Sequence, residues 1–229
     1  MARRSESGTR IEFRIAVGQE TVTGDLAVPE TPKGVVLFAQ GGDGGRASPR
    51  NQYIANTLER RGLATLLVDL LTPKEQLLDR ETIQFRFDIP LLADRVMRLI
   101  EWIRGCPEVA KLPIGLFGTA TGGSAALFVA GEWTREIGAV VSRGGRPDLV
   151  GPALTDVTAP TLLLVGSRDI VVARINREAL AWMTGTVSLE VIEDATHLFA
   201  EPGALESVAE LSAKWFSQHL RAIGARAVG

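Results

Sequence analysis

At the centre of this chain of 229 residues stands the stretch Ile114-Gly-Leu-Phe-Gly-Thr-Ala-Thr-Gly-Gly-Ser-Ala-Ala-Leu-Phe-Val-Ala130. Its first residues have the length and apolar character of a buried strand, and an apolar helical pattern begins near Thr121 after a turn of small residues. Gly118 and Gly122 lie two residues before and two residues after Ala120, as in the G-x-Nu-x-G frame of a nucleophile elbow. The strained turn of an elbow leaves no room for side chains at the two glycine positions. Ala120 holds the nucleophile position, and its methyl group cannot attack a carbonyl carbon.

The composition indicates a protein that acts on small molecules rather than on polymers or membranes. The 25 Lys and Arg residues balance 27 Asp and Glu residues, so no basic field for nucleic acid is expected. Cys106 is the single cysteine and there are 2 histidines, so we expect no disulfide framework, no metal site and no cofactor. No run approaches the roughly 20 apolar residues of a membrane span. We therefore predict a cytoplasmic protein that binds a small, roughly neutral molecule, with a homodimer as one open oligomeric state.

The N-terminal part predicts a hairpin at the edge of a sheet. Apolar and polar residues alternate over residues 11–17 and 21–28, on either side of Gly18-Gln19-Glu20. Residues 1–9 are small and polar, and we expect them to form a flexible tail. No composition shift divides the remainder, so residues 10–229 are predicted to form one domain.

The rest of the chain alternates apolar runs with helical patterns. The apolar runs have the character of strands covered on both faces of a parallel sheet. They occupy residues 34–40, 64–70, 114–117, 137–141, 160–165 and 187–192. The polar segment 72–83 is expected to form a short helix or a flap over the site. The predicted fold class is α/β, with a single doubly wound, mostly parallel sheet and an antiparallel N-terminal hairpin; ligands of such sheets bind beyond the carboxyl ends of the strands.

Four unusual features follow the ends of predicted strands. They are a glycine-rich loop at residues 41–45, the elbow at Ala120, a carboxylate at Asp169 and an imidazole at His197. Nucleophile, acid and histidine follow one another in this order in the triad of α/β-hydrolases. Each feature also has a plainer explanation, namely a flexible connection, a helix cap or a solvated side chain. Their joint occurrence in this order favours a triad site.

The chemistry of such a site assigns a role to each residue type. An imidazole that titrates near neutrality can take a proton and return it, and the carboxylate fixes its tautomer. The backbone N–H of Thr121 and one from the region of Gly41 and Gly42 would stabilise an oxyanion. The candidate oxyanion and substrate-binding residues are Gln40, Gly41, Gly42, Asp43, Thr119, Thr121 and Arg143.

Six segments resemble the dienelactone hydrolase-like branch of the α/β-hydrolase superfamily, and together they span nearly the whole chain from about residue 10. They are Val36-Leu-Phe-Ala-Gln-Gly41, Arg46-Ala-Ser-Pro-Arg-Asn51, Leu116-Phe-Gly-Thr-Ala-Thr-Gly-Gly123, Val141-Ser-Arg-Gly-Gly-Arg-Pro-Asp-Leu149, Leu164-Val-Gly-Ser-Arg-Asp169 and Ala195-Thr-His-Leu-Phe-Ala-Glu-Pro-Gly-Ala204. The resemblance implies the α/β-hydrolase fold and a single-domain enzyme for esters or lactones, with Ser or Cys in the elbow. It implies triad positions for Asp169 and His197, and it places Ala120 where Ser is expected.

The chain departs from that family at three further positions. The family more often has His where Gln40 stands, a serine-richer loop where Asp43 stands, and Ala where Thr119 stands. Three unusual positions around one site favour natural divergence over an engineered change of serine to alanine at Ala120.

Three functions are open at this point. The favoured one is a non-hydrolytic catalyst of cyclase or lyase type, which positions a substrate and polarises its carbonyl group or uses His197 as a general base. The second is a dienelactone hydrolase-like esterase or lactonase captured as an inactive Ser-to-Ala variant. The third is a ligand-binding pseudo-hydrolase. Thr119 and Thr121 flank the nucleophile position, but an elbow directs neighbouring side chains away from the substrate, which disfavours a substitute nucleophile.

Four arginines add a further hypothesis. Arg46, Arg50, Arg143 and Arg146 follow or precede predicted strand ends, and one or two of them could recognise a carboxylate or a phosphate. The alternative is that they pair with acids of the protein, and we favour this alternative for Arg146, which has Asp148 close by in the sequence.

Overall fold

Strands and helices alternate through most of the chain in the computed structural model, which describes residues 2–5, 8–17, 20–42 and 45–220. The strands are Ala2–Ser5 (β1), Gly8–Val17 (β2), Glu20–Val28 (β3), Val35–Gln40 (β4), Ala64–Val68 (β5), Ile114–Thr119 (β6), Ile137–Arg143 (β7), Thr161–Gly166 (β8) and Val187–Ile192 (β9). The α-helices are Pro49–Arg60 (α1), Pro73–Thr82 (α2), Ile89–Gly105 (α3), Thr121–Glu132 (α4), Ile170–Ala179 (α5) and Ala204–His219 (α6). Short 3₁₀ helices lie at Phe85–Phe87, Pro147–Leu149 and Gly151–Asp156.

The described strands form one sheet in the order β1-β2-β3-β5-β4-β6-β7-β8-β9. The first strands pair antiparallel through β5, and β5, β4, β6, β7, β8 and β9 run parallel to one another. The predicted α/β class is therefore confirmed, as is the doubly wound, mostly parallel sheet with its antiparallel N-terminal hairpin. The carboxyl ends of β4, β6, β7, β8 and β9 lie at one edge, where the predicted site residues follow.

The N-terminal residues differ from the flexible tail that the sequence predicts. Ala2–Ser5 pairs antiparallel with β2, in the register that sets Ala2 opposite Ile11 and Ser5 opposite Gly8. An edge strand of this kind is held by backbone hydrogen bonds, which any non-proline residue can make, so the polarity of residues 1–9 did not reveal it. Residues 1, 6 and 7 lie outside the described part of the chain, as do residues 18 and 19 at the tip of the β2–β3 hairpin.

The parallel strands are buried on both faces because their residues are apolar without interruption. In β4, Val35, Leu37 and Ala39 join one hydrophobic cluster, and Val36 and Phe38 join the cluster on the other face. Helices α3 and α4 cover the first face, and α1 and α6 cover the second. The alternation follows from the two-residue period of a strand. The core thereby fixes each strand in register and places its last residue at the site.

The segment predicted as a short helix or flap is held down by a buried ion pair. It forms α2, which begins with a capping box between Thr72 and Glu75. Glu75 also accepts two hydrogen bonds of 2.6 Å from the guanidinium group of Arg95 on α3, which is 5% exposed. Burial acts to raise the pKa of Glu75, but the hydrogen bonds from Arg95 and Thr72 more than offset it, and the pKa is lowered. The pair therefore fixes the segment that leads to the pocket residues 86 and 87.

We expect Glu75→Gln to lower the free energy of unfolding by about 3 kcal/mol, because Arg95 is left charged and buried without a charged partner. Urea denaturation followed by circular dichroism measures the change. Glu81→Gln, an exposed position at the end of the same helix, is the matched control and should change stability by less than about 0.5 kcal/mol. Equal effects of the two substitutions would contradict the interpretation.

Candidate active site

The predicted elbow has the backbone conformation that its name requires. Ala120 joins β6 to α4 with φ 48° and ψ −122°, a region that residues with a Cβ rarely adopt. The helix starts at once at Thr121, and the side chain of Ala120 cannot cap it. Such a strained turn presents the residue at its apex to the space above the sheet. That residue carries only a methyl group.

The elbow glycines are required by close contacts. A Cβ at Gly118 would lie 2.5 Å from the carbonyl oxygen of Gly122, and a Cβ at Gly122 would lie 2.2 Å from the carbonyl oxygen of Ala39 on β4. A Cβ at Gly123 would lie 2.6 Å from Ser142 Oγ on β7. Helix α4 is therefore pressed against three neighbouring strands at its first turn. The backbone geometry of a nucleophile elbow is kept in full around Ala120.

The structure brings together the predicted acid and histidine. Asp169 Oδ2 lies 2.6 Å from His197 Nδ1, and the carboxylate is mostly buried whereas the imidazole is about half exposed. The other carboxylate oxygen, Oδ1, accepts a hydrogen bond of 3.5 Å from the backbone N–H of Val172 and caps α5. Asp169 thus caps α5 and also contacts the imidazole of His197. With Nδ1–H donated to the carboxylate, Nε2 is the nitrogen of His197 left to exchange protons.

The imidazole rests on the backbone of the loop after β7. Gly144 has φ +55°, and a Cβ added there would lie 3.1 Å from His197 Cε1. A side chain at this position would both strain the backbone and push the ring away from its place. The backbone of Gly144 therefore supports the imidazole of His197, a role that the sequence did not indicate.

The last residues of three neighbouring strands form the base of the site. Gln40, Thr119 and Arg143 lie side by side in the registers of β4, β6 and β7. Gln40 Nε2 donates a 3.0 Å hydrogen bond to Thr119 Oγ1, whereas Gln40 Oε1 is buried and has no partner among the described residues. Two of the three further residues that depart from the family pattern, Gln40 and Thr119, are therefore joined by a hydrogen bond.

The glycine loop after β4 is partly described. A Cβ at Gly41 would lie 2.6 Å from Leu92 Cδ1 and 3.2 Å from Thr121 Oγ1, so a glycine is needed for this close approach of loop and elbow. Gly42 is exposed and has open space around it. Asp43, predicted as a substrate-binding residue, lies outside the described residues.

A cavity of about 290 Å³ lies above Ala120. Its lining contains the predicted residues Gln40, Gly42, Thr119, Ala120, Thr121, Arg143 and His197. Sequence reasoning gave no pocket role to four further lining residues, Ser48, Arg86, Phe87 and Leu198; Arg50, one of the four arginines considered above, also lines it. A groove of about 620 Å³ between β2, β3 and α1 is larger but contains none of the candidate triad residues.

Positive charge dominates the described lining of the cavity. Arg143 is mostly buried, with its guanidinium carbon 5.8 Å from the centre of the Phe199 ring. Burial, together with the positive charge of Arg50, lowers the pKa of Arg143 to about 10. Arg143 Nη1 and Arg50 Nε are buried and have no hydrogen-bond partner among the described residues. Both arginines therefore retain hydrogen-bonding capacity inside the site.

The other two arginines considered from the sequence are committed elsewhere. Arg46 donates to Asp25 at 2.9 Å and lies 3.3 Å from Asp69, and it lines the groove between β2, β3 and α1. Arg146 pairs with Asp148 at 2.6 Å, as we favoured. The carboxylates hold these two guanidinium groups away from the cavity.

The described residues contain no group of three or more His, Cys, Asp and Glu side chains placed to hold a metal ion. Within the same ranges of the chain, no helix combines the length and apolar character needed to cross a membrane.

The order of the sheet, the strained elbow after β6, and the acid and histidine after β8 and β9 define an α/β-hydrolase fold. The sequence profile of the Dienelactone hydrolase family matches residues 22–222, and the chain belongs to this family. The crystal structure of a dienelactone hydrolase from Anabaena variabilis is 45% identical, with a TM-score of 0.90 over 94% of this chain and 100% of that one.

Two further kinds of likeness are found: longer proteins that match this chain over part of their length, and a structure that has the same fold. Two Mycobacterium tuberculosis proteins, from strains CDC 1551 and H37Rv, are each 49% identical over 209 residues, which are 91% of this chain and 46% of theirs. Each is named provisionally as a phosphoribosyl transferase, and the chain spans about half their length. A cold-adapted esterase from an Arctic intertidal metagenomic library, 17% identical, has the same fold with a TM-score of 0.76 over 96% of this chain and 97% of that one.

We expect Ala120→Gly to raise the free energy of unfolding by about 1 kcal/mol. The gain arises because glycine tolerates the positive φ at the elbow, and it exceeds the added entropy of the unfolded chain. Thermal and urea denaturation measure the difference. Ala125→Gly, inside α4 and fully buried, is the control and should destabilise the protein. Destabilisation by Ala120→Gly would show that the elbow is not strained.

Proposed function

We propose that this protein is a non-hydrolytic enzyme that uses His197 as a general base on a small carbonyl-bearing substrate. The observation that carries the proposal is the 2.6 Å contact between His197 Nδ1 and Asp169 Oδ2 beside an elbow whose apex is Ala120. The acid–base half of a hydrolase site is present, and the hydroxyl that would form an acyl-enzyme is not. A site of this kind can move protons without forming a covalent intermediate.

In the proposed reaction, a substrate carbonyl group lies over Ala120. His197 Nε2 accepts a proton from a carbon or hydroxyl group of the substrate, while Asp169 holds the ring and stabilises the imidazolium. When the proton leaves the carbon next to the carbonyl, the electron pair that remains moves onto the carbonyl oxygen. The proton is then returned to the product, so the step needs no oxidant, reductant or other co-reactant.

The negative oxygen formed in this step has donors close to it. Thr121 is the first residue of α4, and the N–H groups of a helix's first turn have no acceptor within the helix. Gly41 packs against Thr121, which brings the backbone of the glycine loop to the same place. These fixed N–H groups act as an oxyanion hole, which is typically worth about a hundredfold or more in rate per donor.

The neighbouring hydroxyl groups do not replace the missing nucleophile. Thr119 Oγ1 accepts the hydrogen bond from Gln40, and Ser124 is fully buried, with its hydroxyl donating to the carbonyl oxygen of Arg146 at 2.7 Å. The side chain of Thr121 faces Gly41. Loss of a triad nucleophile costs about a millionfold in turnover. Ester hydrolysis through an acyl-enzyme is therefore not the favoured activity.

The second candidate function is a dienelactone hydrolase-like esterase or lactonase in which alanine replaces the catalytic serine. It is favoured by the 45% identity to the Anabaena variabilis dienelactone hydrolase and by the strained elbow, which is maintained although no nucleophile needs it. The name phosphoribosyl transferase belongs to relatives about twice as long as the matched part, and we do not extend it to this chain. A cytoplasmic location and a substrate of the ester, lactone or other carbonyl class remain parts of the proposal.

Proton exchange tests the proposal directly. We expect the unchanged chain to exchange the protons next to the carbonyl of 2-pentanone, γ-butyrolactone or 2-oxobutyrate for deuterium in heavy water, as followed by NMR. His197→Gln should reduce this exchange by about a hundredfold or more because the base is removed. His219→Gln, which changes the only other histidine, is the matched control and should have no effect.

Ala120→Ser separates the two candidate functions. Under the proposal, the unchanged chain exchanges protons, and Ala120→Ser keeps this activity. If instead the unchanged chain exchanges no protons with any of the three compounds, the proposal is wrong. Gain of p-nitrophenyl acetate hydrolysis by Ala120→Ser would then establish the second candidate.

A further inference from the structure

The cavity above Ala120 is lined by cationic groups and, in its described part, by no carboxylate. Arg50, Arg86 and Arg143 supply the positive charge. The imidazole of His197 also lines the cavity, whereas Asp169 stands behind the imidazole and does not. Arg86 Nε is bound to Asp79 Oδ2 at 2.5 Å, so a carboxylate offsets its charge. Arg50 and Arg143 have no ion pair with an acid in the described residues. Within the described lining of the cavity, their positive charge is therefore not compensated.

This arrangement is exceptional within the molecule. Elsewhere in the described chain, arginines with buried or half-buried side chains reach a carboxylate: Arg46, Arg86, Arg95, Arg104 and Arg146 each do so. Burying a charge without a partner is unfavourable, and the ring of Phe199 beside Arg143 compensates only in part. A buried polar group without a partner requires a specific explanation, and a ligand that supplies the missing partner provides one.

Two helix N-termini add to the same field. Ser48 is the N-cap of α1 and lines the cavity, but its side chain makes no cap hydrogen bond. Ala120 is the N-cap of α4 and has no polar side chain to offer. Helices α1 and α4, of 12 residues each, therefore begin at the cavity, and no side chain caps the N–H groups of their first turns. Helix N-termini attract anions through these N–H groups and through the helix dipole.

We propose that the cavity binds an oxyanion group of the substrate, a carboxylate or a phosphate, between the guanidinium groups of Arg143 and Arg50. Both arginines line the cavity, so the anion lies against their guanidinium groups. In each group one buried nitrogen atom, Arg143 Nη1 or Arg50 Nε, has no described partner. The identification of the ligand as substrate rests on the proposed function, but the binding itself does not. The volume of about 290 Å³ is at the small end of the range for small-molecule sites and fits a compact organic anion.

The same placement explains how a small substrate would be oriented. Arg143 follows Thr119 and Gln40 across the sheet edge, and the backbone N–H of Ala120 donates to the carbonyl oxygen of Arg143 at 3.2 Å. An anion held by Arg143 is thereby fixed relative to the elbow. The rest of the substrate is left to lie between Ala120 and His197.

Binding of simple aromatic probes tests this assignment without any need for turnover. Isothermal titration calorimetry is performed with benzoate, phenyl phosphate and the neutral benzamide, on the full chain and on Arg143→Gln, Arg50→Gln and Arg146→Gln. We expect at least one of the two anions to bind and benzamide to bind at least about tenfold more weakly. The tighter of the two anions identifies the carboxylate or the phosphate as the group that the site prefers.

Arg143→Gln and Arg50→Gln should each weaken anion binding by about tenfold or more, since each removes a charged donor. Arg146→Gln, which changes the neighbouring arginine that is paired with Asp148, should leave binding unchanged. The melting temperature of Arg143→Gln without ligand should be equal or higher, because an unpaired buried charge is removed; an arginine with a structural role would lower it. Arg50→Gln, on the half-buried first turn of α1, provides the same test of binding if Arg143→Gln does not fold.

Three results would overturn the assignment: no binding of either anion, equal binding of benzamide and benzoate, or an equal loss in Arg146→Gln. His197→Gln distinguishes this inference from the proposed function. It should keep anion binding even though it loses proton exchange. Failure of the exchange reaction with anion binding intact would refute the general-base proposal alone, and loss of anion binding in the arginine variants without loss of folding would confirm the subsite.

Discussion

The site depends on one tight junction, the turn between β6 and α4. Gly118, Gly122 and Gly123 allow the helix to approach β4 and β7 so closely that a single added Cβ would collide with a backbone or side-chain atom. The approach forces Ala120 into a positive φ, and the core on both faces of the sheet supplies the rigidity that maintains this strain. The polar and ionisable side chains that line the cavity are all positioned relative to this junction.

Electrostatics then divides the site into two parts. On one side, Asp169 Oδ2 lies 2.6 Å from His197 Nδ1, so a carboxylate stands beside the imidazole. On the other side, Arg143 and Arg50 have no compensating acid in the described residues, and burial lowers the pKa of Arg143. The balanced overall composition, 25 basic against 27 acidic residues, suggested a roughly neutral ligand. The balance of the whole chain does not reveal the unpartnered charges of the cavity, because a field inside a cavity depends on which charges lack partners there.

The sequence patterns located the strands and the candidate site residues at the strand ends. They did not locate the N-terminal strand β1 or the contacts that hold the site residues in place. The strand at residues 187–192 lies where the apolar pattern places it. Before this strand, Gly185 passes close to the backbone of Val157 and Thr158, a long-range contact that no local pattern encodes. Strand β1 was missed for a similar reason, since backbone pairing leaves no periodicity in the sequence.

The sequence by itself determined the fold class, the elbow at Ala120, and the order of Asp169 and His197, because two-residue and helical periods and glycine spacing are local properties. Only the tertiary structure decided which of the four arginines face the cavity. Arg46 and Arg146 pair with carboxylates, whereas Arg50 and Arg143 have no carboxylate partner among the described residues. The physical reason is that a charge is compensated by neighbours in space, and residues far apart in the chain become such neighbours only when parallel strands align their carboxyl ends.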